Sequence, residues 1–136
     1  MYYGARHALA FYGPRVGLSG WTVGDCHRRE TRLYLRELDA FRGRPRVWVI
    51  WTHAIPRFGE PEAIRSYLET IGIERQRIDA PSGARGEDGA QALLYDLSDP
   101  SRLERSRADT HAIPPPEFPN QGRDVGCGGP VTETAS

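Results

Sequence analysis

The sequence predicts an α/β fold: a small Rossmann-like layer with a central, mostly parallel sheet, flanking helices and a C-terminal antiparallel hairpin. Three observations carry that expectation. Val47 to Trp51 is an unbroken run of large apolar residues, β-branched and aromatic, as in a strand buried on both faces. Amphipathic patterns of helical period stand on either side of it, giving a helix, strand, helix order. Two further strand candidates, at 75–80 and 90–97, flank a stretch rich in Gly, Ser and charge, as in a hairpin with a long tip.

In chain order, residues 2–5 read as a first strand. Its two aromatics, Tyr2 and Tyr3, run straight into Gly4 and look like the second half of a longer strand, so the natural start is expected upstream. Ala8, Leu9, Phe11 and Tyr12 place a short helix at 7–13, before Pro14. Trp21 to Gly24 alternates in polarity and reads as a strand at 21–24. Tyr34, Leu38 and Phe41 then recur at i, i+4 and i+7 within 30–42, with Gly43 in a capping position. After the strand at 46–51, a loop containing Pro56 leads to a helix at 61–71. There Glu60, Pro61 and Glu62 suit a helix N-terminus, Ile64, Tyr67, Leu68 and Ile71 form one apolar face, and Gly72 closes the element.

Composition separates a folded part from a tail. A folded domain is expected over 1–103 and a disordered Pro/Gly-rich tail over 104–136, where Pro114 to Pro116 and Gly126 to Pro130 replace apolar residues. The chain of 136 residues carries 18 acidic and 18 basic residues, so no whole-molecule field favours nucleic acid. Every basic residue is arginine, which coding bias explains and which also suits phosphate and carboxylate recognition. The two cysteines, Cys26 and Cys127, imply neither a disulfide framework nor a zinc spacing. The sequence shows no signal peptide and no apolar run of about 18 residues of the kind that spans a membrane.

If the strands at 21–24 and 46–51 lie parallel, their carboxyl ends meet on one edge, where open α/β sheets bind ligands. His27, Arg28 and Arg29 follow the first strand and His53 follows the second. These residues are the candidate anion- or ligand-binding set, because guanidinium forks and the start of a helix near Glu30 both favour phosphate. No catalytic residue is assigned. Cys26 and His27 are adjacent, so their side chains diverge rather than form a nucleophilic dyad. Nor is a metal assigned, since His27, His53 and Asp25 lack the HxH or HxxxH spacing of a ligand set, and no cofactor is called for. The Ser82 to Gly86 segment lacks the Lys-Ser/Thr of a phosphate-binding loop.

Several short motifs occur in a recognisable order: Tyr3-Gly4-Ala5-Arg6, Gly24-Asp25-Cys26-His27-Arg28, Tyr34-Leu35-Arg36-Glu37-Leu38, Gly43-Arg44-Pro45-Arg46-Val47-Trp48-Val49, Thr52-His53 and Leu94-Tyr95-Asp96-Leu97-Ser98. In this order, spanning residues 2–98, the chain resembles the soluble C-terminal domain of bacterial GT-C-type membrane glycosyltransferases. These are the glycosyltransferase family 39, dolichyl-phosphate-mannose-protein mannosyltransferase-like proteins and their RgtA/B/C/D-like relatives. The resemblance implies an extracytoplasmic domain that works beside a transmembrane portion and helps hold a polyprenyl-phosphate sugar donor or an acceptor glycan. It carries over no catalytic residue, because the acidic loops of the membrane part are not in this sequence, and the isolated chain is expected to be inactive. The alternative expectation is a free-standing small α/β domain that binds phosphate or a small molecule.

Overall fold

A computed structural model describes residues 9–11, 13–17, 20–27, 30–52, 59–80, 90–113 and 115. It shows a two-layer α/β domain in which helices cover one face of a three-stranded antiparallel sheet. The order is α1 (Thr31–Asp39), β1 (Val47–Trp51), α2 (Glu60–Ile71), β2 (Ile73–Asp79), β3 (Gln91–Asp96) and α3 (Pro100–Arg105). A short 3-10 turn, Pro14–Val16, precedes them, and residues 9–11 are helical within the span expected at 7–13.

The sheet corrects the expected parallel layer. Its strand order is β1-β3-β2, with both pairings antiparallel. Residues 21–24 form no strand, so β1 has no parallel neighbour there, and the strand expected at 2–5 lies outside the described residues. β3, not β1, is central. Its register sets Val49 opposite Leu93 and Val47 opposite Tyr95 on one side, and Arg77 opposite Leu93 on the other. The hairpin of β2 and β3 is the expected one.

The apolar run of β1 is buried on one face only. Val47, Val49 and Trp51 are buried, whereas Trp48 is 37 % exposed. Alternate side chains of a strand point to opposite faces, and among the described residues the helices pack on the face of Val47, Val49 and Trp51, although Leu94 of β3 on the other face is also buried. The core joins Val47, Val49, Trp51, Leu93 and Tyr95 of that face to Tyr34 and Leu35 of α1 and Ile64, Tyr67, Leu68 and Ile71 of α2. The opposite face carries Ile78, which is 52 % exposed and pairs with Ala92, while Leu94 on that face pairs with Trp48 and Gln76.

The helices follow their sequence signals. α1 ends at Asp39, capped by Ala40, and the chain turns until Gly43 takes a φ of 85° that favours glycine. Gly43 N then donates to the Leu97 carbonyl at 2.8 Å and Leu97 N donates to the Arg44 carbonyl at 2.8 Å, which locks the entry to β1 against the exit from β3. α2 begins after Gly59, with Pro61 in its first turn and Glu60 and Glu62 at the positive end of the helix dipole. Asp99 caps α3 by accepting from Ser101 N at 2.9 Å.

The folded unit continues beyond the expected boundary at 103. Ser106 and Ala108 are buried, and residues 106–111 cross α1 and α2. Arg32 donates to the carbonyls of Ala108 at 2.6 Å and His111 at 2.8 Å, and Arg42 donates to the Ser106 carbonyl at 2.9 Å. The expectation of disorder from residue 104 therefore does not hold for 104–113. Few apolar residues occur there, and polar bonds to the half-buried Arg32 and Arg42 replace the apolar contacts that composition counts.

Candidate functional site

The most concentrated group of ligand-type side chains in the described residues lies where the 20–27 segment folds back on α1. Asp25, His27 and Glu37 each offer one ligand atom, and these atoms all lie within 4.8 Å of one another. Glu37 sits one turn after Tyr34 on α1, so its carboxylate and the Tyr34 ring share a helix face. The C-terminal end of the returning segment binds to that face through two main-chain N–H groups. Asp25 N donates to Glu37 Oε1 at 2.9 Å, and His27 N donates to the Tyr34 hydroxyl at 2.9 Å.

His27 is held from two further sides. Its Nε2 lies 2.8 Å from Glu37 Oε1, and its ring meets the Tyr34 ring edge-on with centroids 5.1 Å apart. The His27 side chain is 18 % exposed and that of Glu37 33 % exposed, so the pair is partly withdrawn from water while Asp25 is exposed. Imidazole and two carboxylates at this separation form a nitrogen-oxygen donor set suited to a cation, or a base and acid pair oriented by an aromatic ring. Cys26 stands between two of these residues and is disulfide-bonded, so it offers no thiolate as nucleophile or ligand.

Of the residues singled out from the sequence, His27 is the one that the structure places in this group. Arg28, Arg29 and His53 lie outside the described residues. The edge on which all four were expected to meet depended on parallel strands at 21–24 and 46–51, and that pairing is not the one found. Glu37 was missed because it was read as a solvated position between the apolar residues of α1. The available signal was its placement three residues after Tyr34, which puts it at the border of the buried face.

A second polar group fastens the C-terminal segment. Ser66 Oγ lies 3.1 Å from His111 Nε2, and the His111 ring meets the Tyr67 ring at 5.1 Å. Burial, with the Arg32 guanidinium nearby, holds the His111 imidazole below its ordinary range. The Tyr67 hydroxyl donates to Asp39, Arg42 donates to the same hydroxyl at 2.9 Å, and burial raises the Tyr67 phenol well above its usual value. This network joins α1, α2 and residues 106–111, and its contacts are those of a structural clasp.

Comparisons with protein-family models, with curated proteins and with solved structures give no match.

Proposed function

We propose that this chain is an accessory, extracytoplasmic domain of a polyprenyl-phosphate-sugar-dependent membrane glycosyltransferase, which assists glycosyl transfer without performing it. The observation that carries the reading is the ordered series of motifs from residue 2 to residue 98, similar to the soluble domain of the GT-C-type enzymes. Three of its motifs lie together in the described structure. The Gly43 to Val49 motif and the Leu94 to Ser98 motif are joined by the paired bonds between Gly43, Arg44 and Leu97, and Tyr34 and Leu35 pack on the same core.

Two further features support it. A disulfide at Cys26 suits an oxidising compartment outside the cytoplasm. No helix among the described residues is long and apolar enough to cross a membrane, so on this reading the membrane work falls to a separate portion of the parent protein. On this reading His27, Arg28, Arg29 and His53 remain the candidates for contact with the donor's phosphate by residue chemistry, without the parallel strand edge first expected to join them.

The test is to express this sequence together with its in-frame upstream coding region and to fractionate the product. Membrane partitioning, together with transfer from a polyprenyl-phosphate sugar that falls when Arg28 and His53 are both replaced by alanine, is the expected result. A closed upstream frame, and a chain that stays out of membranes yet binds inorganic phosphate, would instead establish the free-standing binding domain.

A further inference from the structure

We propose that Asp25, His27 and Glu37 form a binding site for one zinc-type divalent cation, independent of any role in glycosyl transfer. The argument rests on spacing, preorganisation and donor chemistry.

Ligand atoms that share a zinc ion at about 2.0 to 2.2 Å stand about 3 to 3.5 Å apart. His27 Nε2 and Glu37 Oε1, at 2.8 Å, are already near that separation. The full set lies within 4.8 Å, and Asp25 is exposed, so rotation of its side chain closes the remaining gap without disturbing the core. The two inner ligands need little ordering on binding. The Tyr34 ring packs against the His27 imidazole, the Tyr34 hydroxyl accepts from His27 N, Asp25 N donates to Glu37, and Glu30 N donates to the His27 carbonyl at 2.9 Å. A site built this way retains more of its intrinsic affinity than three side chains on a free loop.

The donor set selects the class of ion. Imidazole favours zinc and its first-row neighbours, whereas magnesium and calcium prefer sets made wholly of oxygen. Two carboxylates and a neutral imidazole sum to two negative charges, which a divalent cation balances. With Cys26 in a disulfide, the set is nitrogen and oxygen only. Three protein ligands also leave a coordination position open for water or an oxygen-bearing ligand.

The experiment is calorimetric titration of the intact chain with zinc chloride, repeated for His27→Gln, Glu37→Gln and His111→Gln, with circular dichroism to establish that each variant is folded. One ion per chain is expected. His27→Gln and Glu37→Gln should each weaken binding beyond the roughly 10- to 100-fold that losing an outer-shell partner costs, and His111→Gln should leave it unchanged. Cobalt(II) on the unmodified chain gives a reading that does not depend on any variant folding. Paramagnetic broadening of amide signals should centre on Asp25, His27 and Glu37. Absence of stoichiometric zinc uptake, uptake that survives both ligand variants, magnesium binding as tight as zinc, or broadening centred elsewhere would overturn the proposal.

Discussion

Arg42 donates to the hydroxyl of Tyr67 at 2.9 Å, tying the turn after α1 to the middle of α2. The same guanidinium donates to Asp39 at 3.1 Å, to the Ser106 carbonyl at 2.9 Å and to the Leu103 carbonyl. Its side chain is 16 % exposed, so these acceptors have limited access to water in its absence. Arg42→Ala should therefore cost about 2 to 4 kcal/mol in urea unfolding, through acceptors left unsatisfied. Tyr67→Phe, which keeps the ring and loses one hydroxyl, should cost about 1 kcal/mol. Equal losses for the two variants would show that Arg42 does not hold residues 103–106.

Gly72 is needed for space rather than for an unusual backbone, since its φ of −148° is ordinary extended chain. A Cβ at this position would collide with the Leu97 side chain and lie 2.8 Å from the Asp96 carbonyl. Gly72→Ala should destabilise by about 1 to 3 kcal/mol, because the junction of α2 and β2 must move off β3. An unchanged unfolding midpoint would contradict that close approach.

His111 gives the domain a pH dependence of definite sign. Its imidazole is held below its ordinary 6.5 by burial first and by Arg32 second. The unfolded chain therefore takes up the proton first as pH falls. The contribution of His111 to stability is complete above 6.5 and is lost as pH drops from there through the folded-state value. Urea midpoints measured between about pH 8 and about pH 5 should fall on acidification, and fall less for His111→Gln. The same slope for both chains would remove His111 as the source.

The disulfide at Cys26 is open to a thiol count. In the unreduced chain Cys26 should resist thiol reagents, and reduction should make it reactive. Cys26→Ser should lower stability by about 2 to 4 kcal/mol. Alkylation of Cys26 without reductant would show the bond absent.

The two tryptophans of β1 test the one-faced burial of that strand. Trp51 is 2 % exposed and its Nε1 donates to Gln91 at 3.0 Å, whereas Trp48 is 37 % exposed. Trp51→Ala should cost about 3 to 5 kcal/mol. Trp48→Ala should cost no more than about 1 to 2 kcal/mol, for the area it does cover. Comparable losses would indicate that both faces are covered.

The candidate site was only half legible before the fold was known. His27 stood out as a titratable group after a strand-like segment, and Asp25 was weighed beside it together with His53, but Glu37 did not stand out. Asp25 is two residues away and Glu37 ten, and nothing in a linear spacing says that the 20–27 segment turns back along α1. Two main-chain bonds make that turn, Asp25 N to Glu37 and His27 N to Tyr34, and their acceptors are side chains whose direction depends on the helix they sit on. The Arg28, Arg29 and His53 edge was drawn from strand topology, so it depended on a pairing that a sequence of this kind does not encode locally.

The amino-acid sequence alone determined the elements whose signal is local. The period of Tyr34, Leu38 and Phe41, the face of Ile64, Tyr67, Leu68 and Ile71, the apolar run of β1 and the hairpin of β2 and β3 each express a residue's preference over a few neighbours. Tertiary structure decided what those signals leave open: which strand is central, whether β1 runs parallel or antiparallel to its partner, and where the domain ends. An apolar strand reads the same whether one face or two are covered, because burial is set by whatever packs on it. Residues 106–111 read as tail for the complementary reason. They are held by Arg32, Arg42 and Ser66, from positions far away in the chain, and bonds of that range leave no local pattern in the sequence.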